Sequence, residues 1–159
     1  MDSMDKETVI KLLEYYGDIE GEIRFFRGRI KNIETTYYNP IGAIQNDGLP
    51  KGKNNISRPV EEMILSIPDD ARIILKSYEN QIKRLQALKS EMLREISRLE
   101  LREKSIITDY YVHKMKWELV AVRNHYSVRQ CKNIRNAAVE NLVRRFKSNA
   151  NIADFKTEL

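Results

Sequence analysis

The residues best suited to chemistry lie in one stretch near the C-terminal end of the chain, after Ser127. Four apolar side chains recur there at helical spacing, at Cys131, Ile134, Ala138 and Leu142, so the stretch predicts an amphipathic helix. The polar side chains off this apolar stripe are of the types that hydrogen-bond the edges of guanine and adenine. They are Arg129, Gln130, Lys132, Asn133, Arg135 and Asn136. Ser127 fits as the N-cap of this helix.

A shorter helix is predicted just before it, beginning at Trp117. Leu119, Val120 and Val122 are expected on its buried side, and Ala121 is small enough to let two helices approach closely. The residues 124–126 have the length of a tight turn, so residues 117–147 predict a helix-turn-helix motif. The first turns of the second helix of such a motif reach DNA bases. We therefore expect double-stranded DNA as the partner, with helix 127–147 in the major groove.

Lys116 and Ser127 join the six polar residues above as DNA-binding candidates. A solvated polar face is the alternative interpretation of all of them. At the end of the helix, Arg144, Arg145 and Lys147 either contact phosphates or interact with the negative helix C-terminus.

The distribution of charge supports a nucleic-acid partner more than the total does. The chain has a net charge of +5 over 159 residues, yet residues 102–148 hold 11 Lys and Arg against 4 Asp and Glu, a net of +7. Residues 1–101 have a net charge of −1, with 16 against 17. The positive charge thus coincides with the helix-turn-helix, as neutralising DNA phosphates requires.

Other chemistry has little support in the sequence. Cys131 is the only cysteine and lies on the apolar stripe, so we expect a buried thiol rather than a redox sensor, and a reducing compartment. His113 and His125 lack companions at metal-binding spacing. No catalytic constellation or phosphate-binding loop is recognisable. We expect no enzyme activity, no cofactor, no metal and no small-molecule substrate.

Two long helices are expected to position the motif. In residues 1–38 an apolar heptad seam runs through Val9, Leu12, Tyr16, Ile19, Ile23, Phe26, Ile30 and Ile33. Gly17, Gly21 and Gly28 interrupt this helix, each at a cost of about 1 kcal/mol relative to Ala, so the helix needs a packing partner. Residues 69–99 repeat the pattern through Leu75, Tyr78, Ile82, Leu85, Leu88, Met92, Ile96 and Leu99.

The predicted fold is therefore all-α, a long coiled-coil-like helical hairpin followed by a helix-turn-helix domain. Residues 39–68 form a loop with a short apolar segment, residues 100–148 form the domain, and residues 149–159 form a flexible tail. The second long helix can run straight into the domain, where Leu101, Ile106, Ile107, Tyr110 and Tyr111 suit packing behind the motif. Two helices offer little core, so we expect a homodimer, with the hairpin formed within one chain or between two.

Residues from about Arg98 to Phe146 resemble region 4 of the bacterial sigma-70 family, which reads the −35 promoter element. The matching residues are 101–107, Tyr110 and Tyr111, 117–121, Ser127, and the inner positions Ile134, Ala138 and Leu142. Where that family commonly has Arg and then Glu after the cap, this chain has Val128 and Arg129, and Asn133 stands in place of a base-facing Gln. The resemblance implies the fold but not the same DNA sequence.

The layout of the whole chain is similar to the RinA/ArpU-like family of phage transcriptional regulators. The linker residues 48–52, the segment 58–61 and the sigma-like C-terminal part carry this resemblance. It implies an activator of phage or prophage genes in the cytoplasm of a bacterial host, associated with the nucleoid when bound. No segment has the pattern of a signal peptide or a membrane span. Two alternatives remain: a small terminase-like packaging adaptor, and a sigma-like module that binds RNA polymerase without touching DNA.

Overall fold

A computed structural model describes residues 4–38 and 67–155. Within these ranges every regular element is a helix, which confirms the all-α prediction at this level. The α-helices are α1 (Lys6–Tyr38), α2 (Asp69–Ser97), α3 (Leu101–Ile107), α4 (Trp117–Asn124), α5 (Val128–Ser148) and α6 (Ala150–Phe155), and a π-helical segment (Thr108–Val112) follows α3. The predicted loop over 39–68 lies almost wholly outside the described residues. None of the described helices combines the length and apolar character that crossing a membrane requires.

The chain divides into two compact units, with both boundaries inside the long helices. The first unit contains residues 1–23 and 84–159. In it the predicted seams are buried at Val9, Leu12, Tyr16, Ile19 and Ile23 of α1. On α2 they are buried at Leu85, Leu88, Met92 and Ile96, with Leu99 just beyond the helix. A salt bridge joins Lys89 Nζ of α2 to Glu20 Oε2 of α1 at 2.7 Å.

The second unit, residues 24–83, holds the remaining parts of α1 and α2. The rings of Phe26 and Tyr78 lie 5.6 Å apart, so the two helices also contact each other here. Phe25, Ile73 and Ile74 are exposed in this unit. The seam residues of this unit are half-buried, whereas the seam residues of the first unit are buried.

The motif region is a small bundle in which α3 and α4 pack on α5. Its core consists of Ile106, Val120, Ala121 and Cys131, and the partly buried side chains around it include Tyr110, Met115, Trp117, Val128 and Ile134. Cys131, Ala138 and Leu142 are buried, which confirms the predicted inner stripe of α5. Burial raises the pKa of the Cys131 thiol.

Three predicted core positions are wrong. Leu119 is 59% exposed and Val122 is 74% exposed, whereas Val120 and Ala121 are the buried residues of α4, with Trp117 partly buried beside them. Leu101 is 78% exposed at the first position of α3, whereas Ile106 and Ile107 further along this helix are buried. The chain also does not continue as one helix into this region. α2 ends at Ser97, and Glu100 is the N-cap of α3.

The predicted flexible tail is also wrong over residues 150–155, which form the helix α6. Ile152 and Phe155 of this helix are buried. The Phe155 ring stacks on Tyr15 of α1 at 5.8 Å, and the guanidinium of Arg84 lies 5.0 Å from the ring centre. The apolar side chains at i and i+3 were the available signal for this packing, but in six residues they were too few to indicate a buried helix.

Candidate nucleic-acid interface

A tight turn sets α4 against α5. His125 has φ 58° and ψ 37°, the left-handed conformation that ends many helices, and its N–H donates to helix carbonyls. Ser127 then begins α5 with a reciprocal capping box. Its Oγ accepts from the Gln130 backbone N–H at 3.1 Å, and Gln130 Oε1 accepts from the Ser127 backbone N–H at 3.0 Å. The expected N-cap is therefore present.

A buried polar network holds α4 to the preceding elements. The Asn124 side chain donates from Nδ2 to Asp109 Oδ2 at 2.9 Å and accepts at Oδ1 from Ser105 Oγ at 2.6 Å. The Asp109 carboxylate is 4% exposed, and it also lies 3.6 Å from Arg123 Nε and 3.4 Å from His113 Nδ1. Burying a carboxylate without such partners costs free energy, so these contacts favour one orientation of α4 relative to the π-helical segment.

Three of the predicted DNA-binding residues share one exposed face of α5. Arg129, Asn133 and Asn136 stand at i, i+4 and i+7, and their side chains have no hydrogen bond or ion pair within the described part of the chain. They span about 10 Å along the helix axis at 1.5 Å per residue. Their donors and acceptors are thus available to a groove-shaped partner.

Two further predicted cations, Lys132 and Lys116, are exposed. Lys132 is exposed, with its Nζ 5.8 Å from the centre of the Trp117 ring. Lys116 is exposed at the N-cap of α4. A lysine can extend its ammonium into solvent while its stem covers an apolar ring, as Lys132 does over Trp117.

Gln130, Ser127 and Arg135 have structural partners instead. Gln130 and Ser127 bond each other in the capping box, so the acceptor oxygen of Gln130 is already used. Arg135 is only partly exposed, and its Nη1 donates to the Tyr111 hydroxyl at 3.2 Å. Its guanidinium also lies 5.7 Å from the Trp117 ring centre. Burial raises the pKa of Tyr111, while the hydrogen bond from Arg135 opposes that rise.

The exposed face of α5 continues to Glu140, the one acidic residue of this helix. Lys6 at the start of α1 forms a salt bridge with Glu140, and this contact holds the pKa of the Glu140 carboxyl below its usual value. This pairing was not predictable from local sequence patterns because the two residues are 134 positions apart. Lys6 therefore offsets the one negative charge that α5 itself places on this face.

Among the described residues, no group of three or more His, Cys, Asp or Glu side chains could hold a metal ion.

The chain was compared with protein-family models, with curated protein sequences and with solved structures, and none of them matched.

Proposed function

We propose that this protein is a sequence-specific DNA-binding regulator of transcription that inserts the first turns of α5 into the major groove. The observation that carries the proposal is the exposed face formed by Arg129, Asn133 and Asn136, beside a capped helix start. Arg reads guanine and Asn reads adenine with paired hydrogen bonds in the major groove. The net charge of +7 over residues 102–148 supplies the phosphate attraction that such a helix requires.

A regulator of phage or prophage genes, related to the RinA/ArpU-like family, is the specific form of this proposal. The support is the resemblance of the sequence layout, together with a motif that follows long paired helices. We further propose that α1 and α2 form an antiparallel hairpin. The two helices contact each other within each unit, through Glu20 and Lys89 in the first and through Phe26 and Tyr78 in the second. The exposed Phe25, Ile73 and Ile74 favour self-association into a homodimer.

Selection from fragmented phage and bacterial DNA, at about 150 mM salt where nonspecific binding is weak, tests the proposal and yields a binding site. Arg129→Ala should then weaken binding to that site by roughly 5- to 150-fold, the equivalent of about 1–3 kcal/mol per base contact. It should also relax preference at one base pair. Arg27→Ala is the matched control because it removes the same charge from an exposed helical position in the second unit. Equal affinity of both variants at the selected site would contradict the assignment of α5.

A second candidate function is a module that docks on RNA polymerase without contacting DNA. The exposed apolar side chains Leu119 and Val122 on α4 favour it, because such a pair suits a protein surface. This candidate requires no DNA affinity at low salt and loss of polymerase capture on Leu119→Ser. The small-terminase alternative requires ring-sized oligomers, which light scattering separates from a dimer.

A further inference from the structure

A cleft of about 580 Å³ lies where the C-terminal ends of α2 and α5 meet the start of α6. Four arginines line it, Arg94 and Arg98 from the α2 end and Arg144 and Arg145 from α5, together with Ser148, Asn149 and Asn151. This cleft is formed within the first unit, and it lies at the end of α5 opposite to the proposed base-reading face.

A single carboxylate forms the floor of the cleft. Glu95 has a side chain that is 6% exposed, and three guanidinium groups approach it. The distances are 3.4 Å from Arg98 Nη1, 3.9 Å from Arg94 Nε and 4.0 Å from Arg145 Nη1. Paired charge-assisted hydrogen bonds are shorter, about 2.7–2.9 Å. The three arginines therefore share one carboxylate loosely, and most of their N–H donors are not used by it.

The positive charge exceeds what the buried carboxylate requires. Glu91 takes one further hydrogen bond from Arg94, and Asn149 donates to both Glu91 and Glu95. Arg144 donates from Nη2 to the neutral side chain of Asn141 at 2.6 Å, and it also lies near the Glu140 carboxyl, which Lys6 already pairs. Four arginines against Glu91 and Glu95 leave a net charge of +2. If the arginines served only to neutralise Glu95, one well-paired guanidinium would suffice.

We propose that this arginine cleft binds phosphate groups. A phosphate presents several oxygens in the geometry that the arginine fork matches with two parallel hydrogen bonds. A net charge of +2 also suits a doubly charged phosphate or two adjacent phosphodiesters. The phosphates come from the DNA backbone or from a small phosphorylated ligand, and the two sources give different results below.

The DNA source rests on the proposed function, and the length of α5 is compatible with it. A helix of 21 residues is about 30 Å long, whereas the major groove is about 12 Å wide. A helix whose first turns lie in the groove and whose axis crosses it therefore extends past the groove edge, where the sugar-phosphate backbone runs. The small-ligand source does not depend on DNA binding at all.

The test uses the full chain and two opposing changes in the cleft. Arg98→Gln combined with Arg144→Gln removes two positive charges and leaves Arg94 and Arg145 beside Glu95. Glu95→Gln removes the negative charge from the floor while keeping an amide that can bond Asn149. The double variant Arg27→Gln and Lys76→Gln is the control, since it removes two exposed charges in the second unit. Thermal unfolding of each variant establishes that it folds.

Two probes are titrated, inorganic pyrophosphate by calorimetry and a duplex DNA by fluorescence anisotropy, and the ionic strength is held constant within each titration. The DNA titration is then repeated at a series of salt concentrations. If the cleft binds a small phosphorylated ligand, the wild type binds pyrophosphate saturably. The arginine double variant then binds pyrophosphate at least tenfold more weakly, and Glu95→Gln binds it more tightly. If the phosphates belong to DNA, the arginine double variant lowers the salt slope by about 0.9 for each phosphate that is no longer neutralised. The control changes neither.

The proposal is overturned if the arginine double variant and Glu95→Gln bind both probes as the wild type does, or if the control has the same effect. A wild type that binds no DNA at any salt would refute the proposed function. In that case the pyrophosphate titration would still show whether the cleft binds phosphate groups.

Discussion

Replacing Gly17 by Ala should destabilise this protein, although the same change at Gly21 should stabilise it. Both glycines lie inside α1 and within the first compact unit. A Cβ at Gly17 would lie 2.7 Å from the backbone oxygen of Tyr111 and 3.0 Å from Lys114 Cε, whereas a Cβ at Gly21 would meet nothing within 4 Å. The contact with Tyr111 is the serious one because a backbone oxygen cannot turn aside as a lysine stem can.

The expected magnitudes follow from two opposing effects. Ala is favoured over Gly in a helix interior by about 1 kcal/mol, and Gly21→Ala should receive that gain in full. Overpacking at a close contact costs about 1–3 kcal/mol, so Gly17→Ala should lose between nothing and about 2 kcal/mol after the helix gain. The two variants should therefore differ in unfolding free energy by about 1–3 kcal/mol.

Urea unfolding followed by circular dichroism measures this difference directly, and thermal unfolding checks it. At about 2–4 °C per kcal/mol for a chain of this size, Gly21→Ala should melt a few degrees above the wild type, with Gly17→Ala at or below it. Equal stabilisation by both substitutions would show that α1 does not approach the π-helical segment as closely as described. The reasoning from packing would then fail.

Three further predictions concern the motif and its surroundings. Ser127→Ala should lower the unfolding free energy by about 1 kcal/mol in urea titration, since it removes the hydroxyl that accepts from the start of α5, and an unchanged midpoint would contradict the capping box. Lys6→Ala should raise the pKa of Glu140 toward its usual value of 4.5 in a carboxyl NMR titration, because Lys6 causes the present lowering. In the wild type the contact with Lys6 stabilises the folded protein at pH values above the usual pKa of Glu140, and this stabilisation is lost as the pH falls through the lowered pKa. A Glu140 titration that is identical in both proteins would refute the pairing. The Cys131 thiol should react with a disulfide reagent at neutral pH only after unfolding, since it is buried and its pKa is raised, and rapid labelling of the folded protein would contradict that position.

The helical seams were predictable because burial follows the period of the helix. Val9, Leu12 and Ile19 repeat at heptad spacing, and each is fully buried in the structure. Cys131 and Leu142 likewise lie on the inner face of α5. The cap at Ser127 was predictable for a similar reason, since the residue types at a helix start depend on bonds within four residues.

The candidate interface was predictable only in part. Arg129 and Asn133 lie exposed and without partners in the described part of the chain, as a base-reading role requires. Gln130 bonds within the capping box, and Arg135 bonds Tyr111 across the bundle. A helical wheel places Arg135 beside the polar face, but it does not tell which neighbouring element lies within reach of its guanidinium.

The amino-acid sequence by itself determined the helical class, the apolar face of each long helix, the capped start of α5 and the concentration of positive charge around it. These features depend on spacing within a few turns and on composition. Tertiary structure alone decided that Leu119 and Val122 face outward, that residues 150–155 pack as a helix, that Lys6 neutralises Glu140 and that four arginines converge on Glu95. Each of these depends on elements distant in the chain meeting at one place. Local periodicity describes a helix surface, but only packing selects which part of that surface is covered.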